Sequence, residues 1–331
     1  MGTGGTVRIL ITGAGGASAI SVWKSLASEH ELHMGDVDPC AAGLYLVPPM
    51  QRVILTPGDH PDFAEQILAL CKKRQIDVLI ATVDAELAPL ARISDRFLAS
   101  GIKVPLSPYP VLMRCRDKYE LLSYCNTHLT PQKISLLTSD SPLAPDDFPL
   151  IAKPRLGAGS RGIVLTHNKK DIDHLPRDGS YLLQEYLPGE EYSVDVYIHS
   201  DGTPIAAVPR LRLKIDSGIA VASVTKHIPE LSKLALDIAY HVGIRYVANI
   251  QFKRTLSGYY KLLEINPRFP GTLPLTMAAG VDIPKLLIAD INGEQFTGIM
   301  PFKSLMTVRY LTECYFDPGE WEVLCHTPPP G

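Results

Sequence analysis

The sequence has six cysteines (Cys40, Cys71, Cys115, Cys125, Cys314 and Cys325), and no two stand in C-x-x-C spacing. That excludes the usual zinc-ribbon and dithiol motifs and fits reduced thiols in a cytoplasmic protein. No apolar run reaches the length of a membrane span. The N-terminus also lacks the charged start, apolar core and small-residue cleavage site of a secretory signal. A cytoplasmic location away from membranes is therefore expected. Neither sign of charge is in excess, with 32 Lys and Arg against 35 Asp and Glu. With no basic footprint, nucleic acid is not an expected partner. Internal repeats, long low-complexity tracts and the G-K-[ST] of a Walker loop are absent too. What remains is a chain of 331 residues with 46% apolar and 20% charged content, an ordinary globular composition with room for two or three domains.

The most informative stretch is 247–271, VANIQFKRTLSGYYKLLEINPRFPG. It reads as two apolar, β-branched strands joined by a two-residue turn at Ser257-Gly258. That turn sets Leu256 against Tyr259 and, counting outward, Gln251 against Glu264. Asn266 lies two residues beyond Glu264 and shares its face, with Arg268 two further on. One sheet face thus gathers two amide oxygens, a carboxylate and a guanidinium. Hard oxygen donors in this number suit Mg²⁺, which completes its shell with waters and substrate phosphates. The neighbouring arginine suits a phosphate or a developing phosphoryl charge.

Residues 7–105 alternate short apolar strands with helices: strands at VRILIT, ELHMGDVD, RVILT, DVLIAT and IKVPL, and helices at SAISVWKSLAS, 61–74 and 86–98. This order implies a parallel sheet with crossover helices. The turn Gly13-Ala14-Gly15-Gly16-Ala17-Ser18 opens a helix, and Asp36 and Asp38 close the second strand, where a dinucleotide fold places its ribose-binding acid. A nicotinamide-dependent oxidoreductase is the alternative this pattern raises, although Ser18 replaces the third glycine of G-x-G-x-x-G.

Pro105, Pro108 and Pro110 mark a linker, followed by Arg116-Asp117-Lys118. In PLIAKPRLGAGSRGIVL a strand ends at Lys153 and a glycine-rich loop (Gly157, Gly159, Gly162) leads into a second strand. The glycines permit close approach to phosphate oxygens, and Lys153 supplies a point charge beside them. Next, YLLQEYLPGEEYSVDVYI forms a strand-to-strand corner flanked by Glu185, Glu190 and Glu191, able to read a purine edge and hold a ribose. Arg210, Arg212, Lys214 and Lys226 surround a Ser217-Gly218 turn. Of these, Arg210 and Lys226 are the candidates for an anionic substrate. An amphipathic helix over 230–243 leads into the hairpin, and 272–291 and the strand SLMTVRYLTE finish the packing.

In this order, R-D-K, A-K-P-R-L-G-A-G-S-R-G, Q-E-Y-L-P-G-E-E-Y-S-V-D-V, N-I-Q-F and L-L-E-I-N-P-R-F-P-G resemble the ATP-grasp superfamily. The similarity is greatest to single-unit proteins like half of a carbamoyl phosphate synthase large chain. The resemblance implies a mixed α/β and α+β fold. A Rossmann-like parallel-sheet domain over 1–107 would precede a small ATP-grasp subdomain with its glycine-rich flap over 108–183. A C-terminal subdomain carrying the metal hairpin would follow over 184–331. It implies ATP and Mg²⁺ as cofactors, with Mn²⁺ as a substitute ion. Lys118 and Lys153 would contact the nucleotide phosphates, and the flap from Gly157 through Gly159 and Ser160 to Gly162 would close over them. Glu185, with the backbone of Tyr186 and Leu187, would read adenine, and Glu191 would hold the ribose. Gln251, Glu264 and Asn266 match the metal ligands, and Arg268 the arginine that steadies the transferred phosphoryl group. The implied function is a carboxylate–amine ligase that works through an acyl phosphate on a small-molecule acid and amine. A homodimer is the assembly to test. A non-catalytic ATP-binding sensor is the remaining alternative.

Overall fold

The computed structural model describes residues 5–126, 129–157, 161–216 and 218–329. Gly159, Ser160, Ser217, the first four residues and the last two lie outside them. The first unit is β1 (Arg8–Thr12), α1 (Ala17–Leu26), β2 (Glu31–Asp36), β3 (Arg52–Ile54), α2 (Phe63–Arg74), β4 (Val78–Ile80), α3 (Asp84–Arg92) and α4 (Ser94–Ala99). Its strands form a parallel sheet in the order β3-β2-β1-β4. Strand alternation explains the layers. Ile9 and Ile11 pack on the α1 side, while Leu10 faces the α2 side with Phe63 and Ile67. The expected helix over 86–98 is two helices, because the chain breaks at Ile93 after Pro89. IKVPL makes only a single parallel bridge, Lys103 to Val78, since Pro105 has no N–H to extend a ladder.

Helices α5 (Tyr109–Arg116) and α6 (Lys118–Cys125) lead to a small antiparallel sheet of β5 (Ile134–Thr138), β6 (Leu150–Pro154), β7 (Val164–Thr166) and β8 (Asp178–Glu185). Its order is β5-β8-β6-β7. The expected division between residues 183 and 184 falls inside β8. A larger antiparallel sheet follows: β9 (Glu191–Ile198), β10 (Pro204–Asp216), β11 (Ile219–Thr225), then α7 (Pro229–Val242), β12 (Tyr246–Arg254) and β13 (Tyr260–Asn266). Helices α8 (Leu273–Ala278) and α9 (Ile283–Ile291), strand β14 (Met306–Val308) and α10 (Pro318–Cys325) complete the chain. The large sheet runs β13-β12-β9-β10-β11-β14. Of the expected strand SLMTVRYLTE only three residues join its edge.

Both faces of this sheet are used, and period-2 alternation decides which residue goes where. Val194, Val196, Ala248, Ile250 and Phe252 pack under α7. Ser193, Asp195, Asn249 and Gln251 fall on the opposite face. There, Tyr197 and Val208 share a core with the parallel sheet, α8 and α9. The first unit is thereby packed against the polar face of the large sheet. Cys71, Cys115 and Cys125 are free and buried, and burial pushes each thiol up to about 12, so none is a ready nucleophile. No helix among the described residues is long and apolar enough to cross a membrane.

Candidate active site

The β12–β13 hairpin organises the site. Gln251 pairs with Glu264, and Asn249 with Asn266. The turn differs from the expected one. Thr255 N–H donates to the Tyr259 carbonyl and Gly258 N–H to the Thr255 carbonyl, so the loop is Leu256-Ser257-Gly258. Gly258 has φ 91°, as a three-residue hairpin loop requires. The register near the turn is therefore one residue off the simple count, with Arg254 opposite Tyr260 and Phe252 opposite Leu262. A bulge at Leu263 restores it before Glu264. The bulge also turns carbonyls out of the ladder. Lys153 Nζ donates to the Leu263 carbonyl at 3.3 Å, and Gln132 Nε2 to that of Leu262 at 3.0 Å. Small sheet and hairpin are joined there.

Two adjoining cavities share Gln251 and Glu264 of this hairpin. The first lies between the small and large sheets and is lined by Lys118, Lys153, Gly157, Glu185, Leu187 and Glu191. Gln251 and Glu264 also line it. The second lies between the large sheet and the first unit. Its walls include Ser18, Asp84, Asn266 and Arg268, and again Gln251 and Glu264. Glu264, Gln251 and Arg212 thus form the partition between the two spaces.

Asp117 gathers the basic side of the first cavity. It caps α6 by accepting from Tyr119 N–H at 3.0 Å and Glu120 N–H at 3.2 Å. It also clasps Arg155 through Nε at 3.2 Å and Nη2 at 2.5 Å. Lys118 is thereby carried to the glycine-rich loop, where its Nζ donates to the Gly157 carbonyl at 2.5 Å. Gly157 at φ 130° and Gly162 at φ 72° adopt backbone that only glycine enters freely. Lys153 is buried at 5% exposure. Burial lowers its pKa to about 8 against the opposing pull of Glu264, with Lys118 lowering it further and Glu191 raising it. On the acidic side, Glu185 accepts from Lys261 Nζ at 2.5 Å and from Lys133 N–H at 3.0 Å. Tyr186 lines an outer groove together with Glu185, Leu187, Leu256 and Tyr259, and its N–H faces the Pro149 carbonyl at 3.4 Å. Lys253, which the sequence reading passed over, lines the first cavity and holds the Leu187 carbonyl at 3.1 Å.

The two substrate candidates are not brought to the site. Arg210 is fully buried and paired with Asp195 through Nε at 3.0 Å and Nη2 at 2.5 Å. Asp195 also accepts from Asn249 Nδ2 at 2.7 Å and Thr276 Oγ1 at 2.5 Å. α8 thus covers Arg210 and makes it part of the core. Lys226 is exposed and lines neither cavity. The arginine in the partition is Arg212, which donates to Glu191, to Gln251 Oε1 at 3.1 Å and to the Gly218 carbonyl at 2.7 Å.

The donor set at the partition fits a magnesium ion. Gln251, Glu264 and Asn266 offer hard oxygens on one face, with Asn266 Nδ2 holding Glu264 Oε1 at 3.1 Å. The Gln251 oxygen that meets Arg212 keeps a second lone pair. His, Cys, Asp and Glu alone form no metal-sized group among the described residues, so any divalent site here depends on the amides.

Amides of the glycine turn in the first unit find partners within the chain. Gly15 N–H donates to Asp36 Oδ2 at 2.7 Å, Gly16 N–H to the Gly13 carbonyl at 2.8 Å, and Ala14 N–H to the Gly35 carbonyl at 3.1 Å. Asp38 N–H takes the other oxygen of Asp36 at 3.0 Å. The Gly15 and Gly16 amides and the Asp36 carboxylate, which the oxidoreductase alternative would use, thus have partners within the chain.

A parallel-sheet unit followed by two antiparallel sheets that close on a lysine-lined cavity is the architecture of an ATP-grasp protein, and sequence comparison agrees. Residues 9–105 match a PylC-like N-terminal domain, and residues 178–314 match the family described as ATP-grasp in the biosynthetic pathway with Ter operon. The chain carries both an ATP-grasp domain and a PylC-like N-terminal domain. It is 26% identical to carnosine synthase 1 of Gallus gallus, over 86% of this chain and 34% of that protein. It is also 26% identical to a carbamoyl phosphate synthase large chain of Clostridium botulinum, over 52% of this chain and 17% of that one. It therefore spans about a third and a sixth of these relatives. In fold it is similar to the ADP complex of N5-carboxyaminoimidazole synthetase from Staphylococcus aureus. The TM-score is 0.72 at 15% identity, covering 91% of this chain and 82% of that one.

Proposed function

We propose that this protein is an ATP-dependent carboxylate–amine ligase that forms an amide bond through an acyl phosphate and releases ADP and phosphate. The observation that carries the proposal is the shared wall. Glu264 and Gln251 line both the lysine-bearing cavity and the cavity that holds Arg268, so a phosphoryl group passing from one space to the other crosses the oxygen-donor face. Lys118 and Lys153 would bind the nucleotide phosphates, under the loop that starts at Gly157. Glu185 and Leu187 would face adenine, with Glu191 at the ribose. Gln251, Glu264 and Asn266 would hold Mg²⁺, which neutralises charge on the phosphates when bound. A substrate carboxylate in the second cavity would attack the γ-phosphorus. Arg268 would steady the charge that develops, and positioning and electrostatics would supply most of the rate. An amine would then displace phosphate from the acyl carbon. The names of the two relatives, carnosine synthase and carbamoyl phosphate synthase, support a synthetic reaction on small molecules. A cytoplasmic location and a homodimer belong to the same proposal.

The test is ADP and phosphate release from MgATP, screened across amino acids and small carboxylates singly and in pairs. Release that needs one acid and one amine is expected. Release that is indifferent to every acid would overturn the assignment.

Lys153 gives this site a pH signature. Phosphate oxygens beside the ammonium favour its charged form, so nucleotide binding takes up a proton once the pH passes about 8. Affinity should then fall as the pH rises, by at most about tenfold per unit. In the free protein the sign is opposite. The folded pKa lies below the unfolded one, so between about 8 and roughly 10.4 this group makes the fold more stable as pH rises. Calorimetry at pH 8.5 in two buffers of different ionisation enthalpy should detect the uptake, and Lys153→Met should remove it.

A further inference from the structure

Arg268 is held by an acid from a distant part of the chain. Its Nε donates to Asp84 Oδ1 at 2.8 Å and its Nη2 to Asp84 Oδ2 at 2.7 Å, a fork-on-fork pair that fixes the guanidinium plane. Asp84 opens α3 at the C-terminal end of β4, in the first unit. Arg268 follows the metal hairpin, and the clasp therefore spans 184 residues of sequence. Asp84 and Glu264 are the two carboxylates that line the second cavity. With Glu264 facing the oxygen-donor cluster, Asp84 has Arg268 as its one side-chain hydrogen-bond partner among the described residues.

The geometry points to Asp84 as the positioning residue for Arg268, through which the first unit sets the phosphoryl-steadying edge of the active site; this rests on the ligase reading above. A guanidinium carries five N–H groups. The clasp uses one on Nε and one on Nη2, and Nη1 gives one to the Phe269 carbonyl at 3.2 Å. One N–H on each of Nη1 and Nη2 is left. A free arginine side chain samples many rotamers, and immobilising it during reaction costs free energy. A bidentate partner takes that cost at folding and leaves the remaining donors set for a phosphoryl group that has yet to arrive. Asp84 does not line the first cavity and, among the described residues, makes no hydrogen bond to Gln251, Glu264 or Asn266, so its removal should spare nucleotide binding and weaken only what Arg268 does.

The readout is retention of MgADP with and without aluminium fluoride, the fluoride complex standing in for the transferred phosphoryl group. It is measured by equilibrium binding on the full chain, so no substrate need be known. In the wild type, fluoride should tighten MgADP at least about tenfold, and Arg268→Ala should abolish the tightening. Asp84→Asn, close in shape and unable to form the charged clasp, should bind MgADP alone as the wild type does yet lose most of the tightening. The double variant Asp84→Asn, Arg268→Ala should behave like Arg268→Ala, because coupled residues are not additive. Full tightening in Asp84→Asn, a further loss in the double variant, or wild-type protein that binds MgADP with no tightening would each overturn the positioning role. Wild-type protein that binds no MgADP at all would instead sink the ligase reading beneath it.

Discussion

Glu264→Gln should lose at least about a hundredfold in turnover while unfolding at nearly the wild-type denaturant concentration. The magnitude follows from the site. Removing one preorganised electrostatic contact to a developing charge costs roughly 10²–10³ in rate in other enzymes, and Glu264 is the one carboxylate among the proposed metal ligands. The fold should tolerate the change, because the side chain is half-buried and its hydrogen bond is to Asn266, for which a glutamine oxygen serves equally. A second consequence separates a metal role from a packing role. Glu264 raises the pKa of Lys153 against the effect of burial, so its neutralisation should move the pH at which nucleotide binding takes up a proton downward. Rate assays with MgATP, calorimetric proton counting and urea unfolding on one preparation cover all three expectations. A folded variant with unchanged ATP consumption would show that the metal site lies elsewhere.

Arg210→Met should have the opposite profile, unfolding about 3–5 kcal/mol more easily. The guanidinium and the Asp195 carboxylate it clasps are both at 0% exposure. Removing one partner leaves the other charge buried with only Asn249 and Thr276 as donors. Methionine fills much of the volume but replaces neither the charge nor the fork of hydrogen bonds. Arg212→Met, two residues along the same strand, is the contrast. Its arginine ends at the partition between the cavities on Glu191 and Gln251, so its loss should weaken nucleotide binding more than it weakens the fold. Urea unfolding of the two variants distinguishes a core arginine from a site arginine. Equal and small losses of stability would contradict the structural role given to Arg210.

That pair also marks where the sequence stops being legible. Arg210 and Arg212 share a strand face by alternation, and nothing local says that α8 will close over one and leave the other at a cavity wall. The hairpin was legible in its outcome, with Gln251 opposite Glu264, for a reason that is partly fortunate. The loop is one residue longer than the two-residue turn, and the bulge at Leu263 cancels the shift before the site. Bulges leave no composition signal as clear as Ser-Gly at a turn. The alternating strands and helices of the first unit were readable because short β-branched runs and amphipathic helices differ in period. The two overlong strand expectations failed where a proline or solvent exposure ends pairing. IKVPL stops at Pro105, and after Val308 the chain runs exposed through Tyr310 and Leu311. Asp84 stood in plain view at the start of a helix. Its partner is too far along the chain for any periodicity to join them.

On the proposed reading, the cavity between the small sheet and the hairpin takes a nucleoside triphosphate with magnesium, and the glycine turn of the first unit takes no dinucleotide. The most direct test titrates one preparation of the full chain calorimetrically with MgATP and with NADH. Saturable binding of one MgATP per chain, weakened in Glu264→Gln, with no heat from NADH is the predicted result. Saturable NADH binding with none for MgATP would contradict it.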